Sequence, residues 1–249
     1  MGRATKCTEA VMRSGKEYVC LMKLHSYVND EDLKYAFSEM LGDVYQVPPV
    51  RSSVARQPRI RTVYAIELLE RTDNEVLFKV SCSGGFYVRK LCTDVGLLLG
   101  VRSHMQELRR IRVGTVAEDS SHPLIQVYRE VTKWRSEGAT SGFLSMVRPI
   151  EELLTPLPRI EVLDTAVDAI CNGAPLAYPG VARVDANLAP GDLVGIFTLK
   201  NEIICLGEAK KSTKEFLEEG GTIAVPRSVV MRSGTYPPFW RGRYRQSKN

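Results

Sequence analysis

FKVSCSGGFYVRKLCTDVGLLLG, residues 78–100, joins two patterns across a glycine pair. Phe78, Val80 and Cys82 alternate with polar neighbours, as a strand with one buried face does. From Phe86 onward the apolar residues fall at helical spacing, and Gly100 supplies a stop. A strand therefore turns into a helix through Gly84 and Gly85, which reach backbone angles closed to other residues and allow a ligand to approach closely. Tyr87 and Arg89 stand in the first turn of that helix. There a guanidinium can neutralise a carboxylate or a phosphate. The alternative is a plain strand-to-helix corner with Tyr87 half-buried and Arg89 solvated.

Working outward, RTVYAIELLE and EVLFKVSC flank the turn RTDN and predict a hairpin. KEYVCLMKLH reads as a strand. In NDEDLKYAFSEMLG, Asn29 or Asp30 caps a helix with Leu33, Phe37 and Met40 on one face and Gly42 as its stop. SHMQELRRIRVG is a further strand, and residues 3–13 a helix with no cap before it. Residues 120–143 are polar and irregular, the composition of an insertion or arm, and RPIEELL is a short helix.

TPLPRI changes the texture, and a domain border is expected there. Beyond it come a short helix in TAVDAICNG, a turn at YPG and a hairpin turning at Lys200–Asn201. STKEFLEEGG is a capped helix and TIAVPRSVVM a last strand. This is the pattern of a small barrel-like module. The expected class is α+β, with domains 1–157 and 158–236 and a basic tail over 237–249.

With 44% hydrophobic and 25% charged residues, the 249-residue chain has the composition of a globular protein, with no apolar run of membrane-spanning length and no secretory h-region in its first residues. Its six cysteines form no C-x-x-C pair, so buried thiols in a reducing cytoplasm are expected rather than zinc or disulfides. His25, His104 and His122 have no metal spacing. The net charge of +5 gathers in RSSVARQPRIR, in RSHMQELRRIR and after Glu219, where only basic charges follow. Basic clusters with interleaved Tyr and Trp suit nucleic acid; solvated faces are the alternative. Tyr18 shares a strand face with Cys20, Met22 and Leu24, either as core lining or as a stacking platform for a base. Leu108, followed by Arg109 and Arg110, either lies beneath a substrate with cations toward its phosphates or belongs to a strand with a basic outer face.

These pieces, in this order, resemble the TruB/dyskerin pseudouridine synthases. The resemblance rests on GRATK, SGKEYVCLMKLH, PPVRSSVARQPRIRTVYAIELLE, FKVSCSGGFYVRKLCTDVGLLLG and HMQELRRIRVG, and is strongest to the archaeal and eukaryotic branch of H/ACA particles. VDAICNGAPLAYPGV, GDLVGIFTLKNEIICLGEA and RSGTYPPFWRGR resemble that branch's PUA domain and tail. The resemblance implies a base-flipping isomerase that needs no cofactor or metal. Tyr18 matches the tyrosine that stacks on the target uridine, and Arg89 the arginine that pairs with the catalytic aspartate and holds it ionised. Tyr87 shapes the pocket; Leu108 and Arg109 line it.

The family's aspartate belongs to a G-T-L-D-P-x-x-T-G loop, preceded by K-P-x-G, upstream of GRATK. Neither motif occurs in these 249 residues, where GRATK is residues 2–6. The expectation is a partial catalytic domain, inactive and less stable alone, or completed by a second piece. In the PUA-like half, the resemblance implies that Gly173, Pro179 and Gly180 let backbone approach RNA, with Arg183 and Lys200 as phosphate contacts. Expected partners are H/ACA guide RNA, substrate rRNA or tRNA and small accessory proteins of the particle, with no membrane. The expected location is cytoplasmic, or nucleolar in a eukaryote. Two alternatives stand: a non-catalytic RNA-binding scaffold, and a guide-independent tRNA enzyme.

Overall fold

The structure, a computed structural model, describes residues 2–49 and 55–239. Arg51 and the tail arginines 241, 243 and 245 with Lys248 lie outside the described residues. By contact the chain forms two units, one of residues 12–126 and one combining residues 1–11 with 127–249.

A 3-10 turn (Gly2–Cys7) and helix α1 (Thr8–Arg13) lead into strand β1 (Lys16–Leu24). Helix α2 (Asp30–Glu39) follows, then β2 (Gly42–Gln46), β3 (Arg59–Thr72), β4 (Glu75–Cys82), helix α3 (Val88–Leu98), β5 (Ser103–Val113) and β6 (Val116–Ala117). These strands make one antiparallel sheet in the order β2-β3-β4-β1-β5-β6. The expected hairpin is present, and Asp73 takes the left-handed conformation at its tip (φ 48°). Asn29 is the cap of α2, its Oδ1 accepting from the Asp32 N–H at 2.7 Å.

Alternation decides which face is covered. Cys20, Met22 and Leu24 of β1 and Val76, Phe78, Val80 and Cys82 of β4 are buried under Leu33 and Phe37 of α2 and Val88, Leu91 and Val95 of α3. Each fully buried Leu, Val or Phe contributes roughly 1.5–3 kcal/mol. Helix α3 lies very close to β5: a Cβ on Gly96 would fall 2.1 Å from Ser103 Oγ.

In the second unit, α4 (Leu124–Glu137) and α5 (Ser141–Met146) replace the irregular arm expected over 120–143. Leu124, Tyr128, Val131 and Trp134 recur at helical spacing behind Pro123, and the indole of Trp134 stacks on Phe143 at 5.2 Å and 9°. The spacing stands in the sequence, but Ser120, Ser121, Gly138 and Thr140 around it gave the stretch a loop's composition, and α4 buries no residue.

Then come β7 (Arg159–Val162), α6 (Asp164–Cys171), β8 (Leu176–Ala177), β9 (Val181–Val184), β10 (Leu193–Thr198), β11 (Ile203–Ala209), α7 (Thr213–Glu219) and β12 (Thr222–Val229). Their order, β8-β12-β11-β10-β7-β9, with only β7 and β10 parallel, gives the expected barrel-like module. Ser212 and Glu215 close a capping box on α7. All six residues of β10 are buried because both of its faces are covered. Val194 and Ile196 enter the barrel core, while Leu193 and Phe197 pack outward against Cys7, Ala10 and Leu154. The first residues thus pack with this unit, and the expected border at 157/158 falls inside it.

Of the six free thiols, all but Cys171 are buried. Burial pushes Cys82 up to about 12, and burial with the Glu151 charge raises Cys7 to about 11, so both behave as small apolar side chains.

Candidate functional site

Where α3 leaves the Gly84–Gly85 corner, a cavity of about 510 Å³ opens, lined by Tyr18, Val47, Pro49, residues 86–90, Thr93, Met105 and Leu108. The volume suits a single small organic group. Four residues singled out from sequence meet here: Tyr18 from β1, Tyr87 and Arg89 from the start of α3, and Leu108 from β5.

Strand register explains the convergence. Cys20 faces Leu108 and Met22 faces Met105, although those β5 residues are three apart. A bulge between Leu21 and Met22 in the pairing absorbs the extra residue, so both side chains reach the same face. Arg109, expected beside Leu108 at the substrate, therefore points to the opposite face. It pairs there with Glu118 at 2.8 Å and stays 74% exposed. The basic residue on the pocket's face is instead Arg110, opposite Tyr18. Alternation from Leu108 selects Arg110, since Leu108, Arg109 and Arg110 pair in unbroken step with Cys20, Val19 and Tyr18.

Burial pushes the Tyr18 phenol above the ordinary tyrosine range, Cys82 adds to the rise, and the charge and hydrogen bonding of Arg110 oppose it. The phenol is thus neutral at physiological pH. A raised folded-state value stabilises the fold below the unfolded tyrosine value of about 10, and that contribution fades as pH climbs through the folded one. Melting curves between about pH 9 and 11 are expected to show a smaller alkaline loss in Tyr18→Phe than in the parent.

The glycines play different parts. Gly85 adopts φ 79°, whereas Gly84 is glycine because a Cβ would fall 2.5 Å from Met12 O and 2.7 Å from Arg13 O. The close approach at Gly84 is therefore to the chain's own backbone and not to a ligand.

Arg89 is exposed at the cavity and has no ion-pair partner among the described residues. Among the described residues no carboxylate lines the cavity. Asp94 is occupied by Lys90 one turn earlier, and Asp43 accepts from Thr62 Oγ1 at 2.7 Å. Among the described residues no group of three or more His, Cys, Asp or Glu is placed to hold a metal.

In the barrel unit, Val162 of β7 is paired with both Thr198 and Val181. That register brings Pro179, Gly180 and Arg183 to the same end as the turn carrying Lys200. Gly173 stands apart, the length of the eight-residue α6 away, about 12 Å. Gly180 also has an internal reason to be glycine, since a Cβ there would sit 2.9 Å from that of Ala166. Arg183 pairs with Glu161 at 3.2 Å while remaining 77% exposed, and Lys200 Nζ lies 5.3 Å from the Tyr236 ring centroid. No described helix is long and apolar enough to cross a membrane.

Comparison with known proteins gives a consistent result along the chain. Residues 1–88 match the N-terminal domain of the TruB family pseudouridylate synthases, 89–155 the C-terminal domain of tRNA pseudouridylate synthase B, and 158–226 the PUA domain. A probable tRNA pseudouridine synthase B of Methanosarcina barkeri is 44% identical over 241 residues, covering 96% of this chain and 71% of that protein. Its namesake in Methanopyrus kandleri is 46% identical over 239 residues, with the same coverage. Among solved structures, the chain is similar to one in a Cbf5-Nop10-Gar1 complex, with a TM-score of 0.89 and 40% identity over 94% of this chain and 72% of that one. It is also similar to one in an archaeal box H/ACA sRNP Nop10-Cbf5 complex, with a TM-score of 0.85 and 37% identity over 96% of this chain and 73% of that one.

Proposed function

Since this chain belongs to the TruB family of pseudouridine synthases, RNA isomerases, we propose that its α3 cavity receives a uridine flipped out of RNA. The observation that carries the reading is the meeting of Tyr18, Tyr87, Arg89 and Leu108 around one cavity. Tyr18 offers an aromatic face to the base, and Leu108 an apolar wall. Arg89 is placed to neutralise a carboxylate brought to the cavity and hold it ionised. Flipping costs a few kcal/mol, which stacking and exclusion of water offset.

The barrel unit holds the RNA outside the target nucleotide, with Pro179, Gly180, Arg183 and Lys200 at the contacting end and Gly173 reached only by a longer RNA path. The substrate is rRNA or tRNA, selected by an H/ACA guide RNA and with small accessory proteins attached. The relatives with solved structures support this, one captured in an archaeal box H/ACA sRNP Nop10-Cbf5 complex and another with Nop10 and Gar1. The curated relatives, named for tRNA, favour a second reading in which no guide is needed. Binding assays with and without guide RNA separate the two. The work belongs in the cytoplasm, or the nucleolus of a eukaryote, where the buried free thiols stay reduced.

RNA affinity measured against salt tests the reading. Six neutralised phosphates would weaken binding about a thousandfold between roughly 50 and 200 mM salt. Arg183→Ala and Lys200→Ala should each lower the slope of log affinity against log salt by about one contact. An affinity insensitive to salt would remove RNA as the partner.

A further inference from the structure

Gln46 ends β2 as a buried polar side chain, only 2% exposed. Its carboxamide meets the backbone of Tyr87 twice. The Tyr87 N–H donates to Oε1 at 2.8 Å, and Nε2 donates to the Tyr87 carbonyl at 3.1 Å. Only one orientation of the amide satisfies both bonds, so the pair fixes it. Tyr87 is the residue that starts α3, and it makes no side-chain capping bond of its own. Its carbonyl also accepts from the N–H groups of Lys90 and Leu91 at 3.0 and 3.1 Å. A side chain 41 positions earlier therefore does for α3 what a local cap does elsewhere.

The location of this clamp gives it a role. On its β2 side the chain continues into Val47 and Pro49, and on its α3 side into Val88 and Arg89, all of which line the cavity. The two bonds thus tie one wall of the cavity to another, without Gln46 lining it. We propose that Gln46 is a positioning residue, holding the first turn of α3 at the height where Tyr87 and Arg89 meet a base lying on Tyr18. The proposal rests on the reading that the cavity takes a uridine.

Loss of the carboxamide takes the acceptor from the part-buried Tyr87 N–H, while the Tyr87 carbonyl keeps the Lys90 and Leu91 donors. Gln46→Met keeps the length and volume of the side chain and removes both bonds. Gln46→Glu keeps the acceptor for the Tyr87 N–H. Two quantities are read on the full chain: amide hydrogen exchange at Tyr87, and the ratio of affinities for an RNA stem–loop with one loop uridine and the same RNA abasic at that position. In Gln46→Met, exchange at Tyr87 is expected to speed up about tenfold or more. The uridine-to-abasic ratio should fall about fivefold while the abasic affinity holds. Gln46→Glu keeps the acceptor but turns an oxygen toward the Tyr87 carbonyl where Nε2 donated, so it should protect Tyr87 and restore the ratio only at acidic pH, where the buried carboxyl holds its proton. Unchanged protection in Gln46→Met would overturn the clamp, and equal losses for both RNAs would reduce it to general structural support. A parent chain with no preference for uridine would instead sink the reading of the cavity, and the positioning role with it.

Discussion

A polypeptide of these 249 residues, incubated with RNA, is expected to form no measurable pseudouridine while still binding the RNA. The family's chemistry, as the resemblance implies it, needs an ionised carboxylate at the uridine. Among the described residues the cavity offers two phenols, a guanidinium, an ammonium and a threonine hydroxyl, and no carboxylate. The acidic groups nearest in sequence are engaged elsewhere, Asp94 with Lys90 and Asp43 with Thr62. Neither a phenol held neutral by burial nor a guanidinium can replace the missing charge. Mapping of pseudouridine after incubation decides the point, and robust turnover would show that another carboxylate reaches the cavity. Adding a separate polypeptide that carries a G-T-L-D-P loop tests completion in trans. Gain of activity should then depend on Arg89, with Arg89→Ala abolishing it and leaving affinity for abasic RNA in place. A pure scaffold would show no such dependence.

The largest effect on stability is expected from Gly84→Ala. The new Cβ would lie 2.5 and 2.7 Å from two backbone carbonyl oxygens, of Met12 and Arg13, and neither can swing aside as a side chain does. The chain must shift where β4 hands over to α3, at a cost of about 3 kcal/mol or more. A fall of about 10 °C or more in melting temperature follows. Gly85→Ala makes the informative contrast. Its penalty comes from a left-handed backbone at φ 79° and a contact with the Arg61 side chain, which can yield. A cost of about 1–2 kcal/mol is expected there. If thermal melts rank the two the other way, the corner is not built as described.

Most elements were legible because their signals are local. Alternation in KEYVCLMKLH and EVLFKVSC, the Asn29 cap, the Ser212–Glu215 box and the turns at Asp73 and Asn201 each act within a few residues, and each is found where the pattern puts it. Helix α4 escaped although its apolar stripe stands in the sequence, because the serines, glycines and threonine around it gave the whole stretch a loop's composition. At the candidate site, Tyr18, Tyr87, Arg89 and Leu108, singled out by the resemblance and by their types, line one cavity. Arg109, expected beside Leu108, lies on the opposite face, because successive strand residues face opposite ways and Arg110 is the one that shares Leu108's side. Gln46 left no signal at all, since a glutamine bonded to a distant backbone has no spacing to recognise.

What the sequence determined by itself is most of the elements, the barrel-like module and the family, all of which depend on short-range chemistry or on residues in order. The tertiary structure decided which arginine faces Tyr18, why Gly84 must be glycine, what holds the start of α3 and where Cys7 and Ala10 are buried. Each of these depends on two segments far apart in the chain coming within about 3–4 Å, the distance at which hydrogen bonds, steric overlap and packing are set.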